Sequence, residues 1–197
     1  MSRSEQPENP VLAPAIPGKV VALLLGGIAV GAAIAVAVLP IWVPMLRTSL
    51  TGEEPKAYWY LARSSAWVAY ALLWLAMALG LTITNKMARV WPGGPTAFDL
   101  HQYASLLGLG FALFHGLILL GDRYIGYTLP QVILPFAGTG YRPVWVGLGQ
   151  VSLYGLAVVG LSFYFRRRIG AQWWRRIHFL SFALFALALL HGLASGT

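Results

Sequence analysis

The chain has 197 residues, of which 58% are hydrophobic and only 10% charged, with a formal net charge of +8 and no cysteine. Soluble domains carry about a quarter of their residues as charges, so this balance and a mean hydropathy of +0.68 exclude an ordinary soluble fold. The missing cysteines exclude disulfides, thiolate-held iron–sulfur clusters and thiol catalysis. Net positive charge in such a chain records membrane topology better than nucleic-acid binding.

Residues 1–18 are polar and proline-rich and read as a disordered N-terminal tail. The remainder, 19–197, reads as an all-α integral membrane bundle of about five transmembrane helices. No charge interrupts the run from Val20 to Leu46, which is too long for the core of a cleaved signal peptide; Pro40 and Pro44 are expected to end its helix near Leu39. A second span, Ser64 to Asn85, follows the aromatic stretch YWYLAR, a composition suited to a membrane interface. The third span covers about 98–121, the fourth 144–165, and the fifth runs from Ile177 to the C-terminus. Between the third and fourth lies YTLPQVILPFAGTGYRP, whose prolines and glycines predict a surface or half-embedded loop.

Lysines and arginines set the direction. With the N-terminus cytoplasmic, the inner side receives Arg3, Lys19, Lys86, Arg89, Arg166, Arg167, Arg168, Arg175 and Arg176. The outer side receives Arg47, Lys56, Arg63, Arg123 and Arg142, and the asymmetry favours this orientation in the cell (inner) membrane. The third and fifth helices then run the same way. His101 and His178 fall near the inner face, and His115 and His191 lie toward the outer one.

These four are all the histidines in the chain. A single intramembrane histidine is commonly polar glue between helices; four at matched depths on two parallel helices point to ligation. His101 and His115 stand about 21 Å apart along a helix and within about 40° of one face. Imidazole is an axial ligand of haem iron, and a flat macrocycle fits edge-on between two helices that each offer one histidine. Zinc competes poorly, since each level offers two nitrogens rather than four ligands. His178 and His191 are thirteen apart, which leaves them about 140° out of register on an ideal helix. Either a π-bulge restores the register or the two ligands leave from different flanks. Gly108, with Ala104, Ser105 and Ala112, would leave room for a cofactor or serve close helix packing. Phe111, Phe182 and Phe185 lie between the two levels.

Two histidines separated by thirteen residues, then two separated by twelve on the second-next helix, resemble the ferric reductase-like transmembrane domain. That family includes ferric reductases, NADPH oxidases and the haem-binding membrane subunit of methionine sulfoxide reductase systems. The likeness covers about residues 60–197, with local support from YLARSSAW, YRPVWVGLGQVSLY and WRRIHFLSFALFALALLHGLASGT. The resemblance implies haem b, in two copies, ligated by His101 with His178 and by His115 with His191. It implies one-electron transfer across the bilayer from an inner donor to an outer acceptor. No glycine-rich strand–turn–helix offers a flavin or nicotinamide site in this chain. Electrons would therefore come from a flavoprotein reductase, a ferredoxin-type protein or quinol. Arg175 and Arg176, beside His178, and Arg63, at the start of the second helix, are candidates for pairing with haem carboxylates. Topology and interface snorkelling explain the same arginines without a cofactor. A quinol-linked cytochrome b anchor and a cofactor-free structural bundle are the alternative functions.

Overall fold

The computed structural model describes residues 14–43 and 56–196, and among these it is helical with no strand. Five helices are long and apolar enough to cross a membrane, as composition requires: α1 Gly18–Trp42, α2 Ala57–Thr84, α3 Gly94–Ile118, α4 Pro143–Ile169 and α5 Ala171–Ser195. The chain is an all-α multi-pass membrane bundle. Of the expected tail, residues 1–13 lie outside the described residues, as do Pro44 and Arg47. Residues 14–17 dock on the bundle: Ala15 N donates to Gln102 Oε1 (2.6 Å), and Tyr164 OH donates to the Ile16 carbonyl (2.9 Å).

The first helix does not stop at Leu39. It carries Pro40 inside and runs to Trp42. Proline removes the N–H that would bond the carbonyl four residues back, at Val36, and lipid offers that carbonyl no substitute. Tyr58 supplies one. Its buried hydroxyl donates to Ala35 O (3.0 Å) and lies 3.3 Å from Val36 O, so the helix continues past its proline. The same contact explains why α2 begins at Ala57 rather than Ser64: Tyr58 is an anchor against α1, Phe114 and Ile118, not an interface ornament.

The fourth and fifth helices are also longer than their uncharged runs. The stretch FRRRIGAQWWRRIH is barely a loop. Arg166, Arg167 and Arg168 form the last turn of α4, Gly170 alone turns the chain, and Arg175 and Arg176 sit inside α5. Gly170 holds φ +85°, a conformation that side chains disfavour. The long connection before α4 contains one helical turn, Leu129–Ile133, and lies against α4: Gln150 Nε2 donates to Gln131 O (2.7 Å) and Val132 O (2.8 Å).

Packing divides the bundle into two parts. Helices α2 and α3 pack along their length, with α1 on α3, while α4 and α5 form a second tight pair. Ala62, Ala69 and Ala76 recur every seven residues on the buried face of α2, opposite Ala97, Ala104 and Gly108 of α3. Small residues let membrane helices approach until their backbones nearly touch. Gly108 serves this packing: a Cβ there would lie 3.2 Å from Leu73 and 3.3 Å from Leu72. It opens no room for a cofactor. Between the two parts the contacts are sparse, and α3 and α5 scarcely meet along their backbones.

Candidate cofactor site at two histidine levels

Across that sparse seam the four histidines meet in two pairs. The ring centres of His101 and His178 are 6.0 Å apart, with planes at 68°. Those of His115 and His191 are 6.3 Å apart, at 66°. Helix α5 is an unbroken α-helix from Ala171 to Ser195, so no π-bulge restores the thirteen-residue register. The two histidines leave α5 from different flanks. His191 leans toward α4, and His178 stacks on Trp174, one turn earlier in the same helix, with ring centres 5.1 Å apart and planes at 24°.

Backbone carbonyls hold three of the four rings. His101 Nδ1 lies 2.8 Å from Ala76 O, and His115 Nδ1 lies 2.8 Å from Ala62 O. The acceptors are fourteen residues apart on α2, matching the fourteen between the histidines on α3. They sit at two of the alanines whose small size brings α2 close. His191 Nδ1 is 2.8 Å from Trp145 O on α4. A carbonyl only accepts, so in each case Nδ1 carries the proton and Nε2 keeps its lone pair. In this tautomer the carbonyl holds the ring by Nδ1 while Nε2 keeps a lone pair that could ligate a metal. Among the described residues no histidine nitrogen is both buried and unpartnered, so the imidazole nitrogens that make no hydrogen bond keep some accessible surface.

Glycines seat two of the rings. A Cβ at Gly149 of α4 would lie 2.6 Å from Cγ and Nδ1 of His191, and one at Gly80 of α2 would lie 3.3 Å from Cε1 of His101. Ser105 donates to the His101 carbonyl (2.7 Å), and Gln102 bridges the docked residues 14–17 to Tyr164. Between the levels Phe185 of α5 stacks on Tyr70 of α2, with centres 5.0 Å apart and planes at 16°. Phe182 instead packs against Phe179.

The arginines are arranged differently. Arg176 lies over the Trp173 ring at 4.8 Å and Arg63 over the Trp59 ring at 5.0 Å. Arg175 and Arg176 line an open groove with Gln172 and Phe179 near the N-terminal end of α5. Arg142 donates to the Ala194 carbonyl and Tyr141 OH to the Ser195 carbonyl (2.7 Å), so these two residues cap the C-terminal end of α5.

Sequence reading missed Gly149, Trp174, Tyr70 and the three carbonyl acceptors. Trp174 was open to detection, standing four residues before His178 on one helical face. The carbonyls were not, because a backbone acceptor leaves no mark in a sequence. Among the described residues no group of three or more His, Cys, Asp or Glu comes together, so neither histidine pair gains a third ligand of those types. Comparison with protein-family models, with curated proteins and with solved structures finds no match to this chain.

Proposed function

We propose that the chain is a haem b cytochrome of the membrane, ferric reductase-like, that conducts single electrons from a donor at its basic end to an acceptor at the opposite end. The observation that carries this reading is the paired imidazoles. The rings face each other across the seam with centres 6.3 and 6.0 Å apart, so His115 with His191 and His101 with His178 could each hold one group between them. Two ligands suit a metal whose other positions are filled by a macrocycle. Zinc takes three or four protein ligands, and among the described residues no third His, Cys, Asp or Glu joins either pair. Polar glue would engage the nitrogens within the bundle; here His101, His115 and His191 each leave one nitrogen without a hydrogen bond, and His178 leaves both.

In this reading His101 with His178, and His115 with His191, hold the two irons. The bound group supplies one-electron exchange at iron, tuned by its axial ligands and by burial. The chain does the rest. The carbonyls of Ala76, Ala62 and Trp145 fix the tautomer and raise the basicity of the nitrogen that ligates. The Tyr70–Phe185 stack would fill part of the space between the levels. The basic end, with Arg166–Arg168, Arg175 and Arg176, faces the cytoplasm by the positive-inside rule. It suits an electronegative donor surface of a flavoprotein or ferredoxin-type partner, and quinol remains the donor to compare in the same assay.

The test is purification from membranes and a reduced-minus-oxidised spectrum with a haem-to-protein ratio. A b-type spectrum near two haems per chain, with His115→Ala and His178→Ala each removing one, supports the reading. A colourless protein that stays colourless after haem supplementation sinks it.

A further inference from the structure

Near the N-terminal end of α5, Gln172, Arg175, Arg176 and Phe179 line an open groove of about 550 Å³. It lies on the flank of the bundle, away from the histidines. Gln172, Arg176 and Phe179 follow one another at four and three residues, and Ala183, Ala186 and Leu190 continue the same stripe, every one of them exposed. His178 and His191 leave α5 about 100° or more from the middle of that stripe. From Arg176 to Leu190 the stripe runs about 21 Å along the helix, longer than the roughly 15 Å of hydrocarbon in one leaflet.

Two aromatic rings frame the groove. Trp173 is 62% exposed, as suits a side chain at a membrane interface, and its ring carries the Arg176 guanidinium at 4.8 Å. Phe179, 72% exposed, forms the apolar edge and packs against Phe182 with ring centres 5.6 Å apart. The acids among the described residues are Asp99 and Asp122, and neither lines the groove. Its two guanidinium groups therefore meet no carboxylate there. Each presents a planar fork that fits two oxygens of a phosphate. Membrane topology asks only that positive charge stay on this side. It does not ask that two arginines share a groove with a glutamine amide at the head of an exposed apolar stripe.

We propose that this groove binds an anionic glycerophospholipid of the adjoining leaflet. Its phosphodiester sits on Arg175 and Arg176, the Gln172 amide donates to glycerol or ester oxygens, and an acyl chain follows Phe179, Ala183, Ala186 and Leu190. A zwitterionic headgroup would bring its ammonium beside two arginines and find no carboxylate to meet it, so the site prefers an anionic one. A free phosphate would use the arginines and leave the apolar stripe idle. A second copy seated on the same stripe in the same orientation would set four arginines against one another. The inference does not depend on what the histidines bind, and it leaves Arg166, Arg167 and Arg168, in the last turn of α4, to a docking partner.

The experiment reconstitutes the full chain in vesicles of equal parts phosphatidylglycerol and phosphatidylcholine, extracts it in mild detergent, and counts the lipids retained per chain by native mass spectrometry. Thermal melting in phosphatidylcholine alone confirms that each variant folds. Wild type should keep about one phosphatidylglycerol, favoured over phosphatidylcholine about tenfold or more. Arg175→Gln with Arg176→Gln should cut that preference about tenfold. Arg175→Lys with Arg176→Lys, which keeps both charges and loses the forks, should fall between. Arg167→Gln with Arg168→Gln removes the same charge beside the groove and should leave the preference within about twofold. Excess glycerol 3-phosphate, a headgroup without chains, should not displace the lipid. Equal losses in the two glutamine variants would mark a diffuse basic surface and overturn the proposal. So would a wild-type chain that keeps both lipids alike, and displacement by glycerol 3-phosphate would replace the lipid with a soluble phosphate.

Discussion

Helices α3 and α5 carry the same chemical equipment, two histidines each, yet they are held in opposite ways. Seven residues of α3 are buried, from Ala97 to Ile118, and the helix is packed by α2, α1 and α4. No described residue of α5 is buried, and the helix leans almost wholly on α4. Both histidines of α3 are bonded to the backbone of α2. On α5 only His191 has a carbonyl partner, and His178 depends on ring stacking. Each level thus joins a histidine fixed in a packed core to one on a peripheral helix. Under the proposed reading such a site would be half pre-organised, the core helix fixing one ligand and the peripheral helix closing the other onto the bound group.

The comparison can be broken at several points. The largest effect is expected from the core ligands. His101→Ala or His115→Ala should each remove one haem equivalent, halving the haem-to-protein ratio. Retention of both haems in either variant would remove the pairing from consideration. Next is Gly149→Ala, which changes no ligand. Its Cβ would meet His191 at 2.6 Å, an overpacking worth about 1–3 kcal/mol, so occupancy of the outer level should fall roughly tenfold or more while the inner level keeps its spectrum. Gly80→Ala is the control, because its Cβ approaches His101 only to 3.3 Å, and inner occupancy should change by less than outer occupancy does in Gly149→Ala.

Smaller effects probe the frame around the site. Tyr58→Phe takes the hydroxyl from the carbonyls near Pro40 and should cost about 1 kcal/mol of stability, in the upper part of the range for membrane hydrogen bonds. Its haem spectrum should stay unchanged, and a spectral shift would mean that α1 reaches the site. Ser152→Ala removes the 2.8 Å bond to the Leu184 carbonyl that ties α4 to α5; about 0.6 kcal/mol is expected. Hydrogen exchange in the haem-free protein should find α3 amides better protected than those of α5, and equal protection would contradict the division into core and periphery.

The sequence by itself determined the helical class, the number of spans and the two levels of histidine, because lipid demands uncharged runs of fixed length and because helical rise converts spacing into depth. It also paired small residues with close packing, although it left open whether Gly108 serves a neighbouring helix or a cofactor. Only the tertiary structure decided that question, as it did the continuation of α1 through Pro40, the reduction of the basic loop to Gly170, and the separate flanks from which His178 and His191 leave α5. Each depends on a partner far along the chain: Tyr58 hydroxyl for the carbonyl at Val36, Ala62 and Ala76 carbonyls for two imidazoles, and the Gly149 notch for a third. Composition and period register what one helix offers to its surroundings. Which neighbour accepts it is settled by packing, and backbone carbonyls, identical at every residue, become specific only where small side chains let two helices meet.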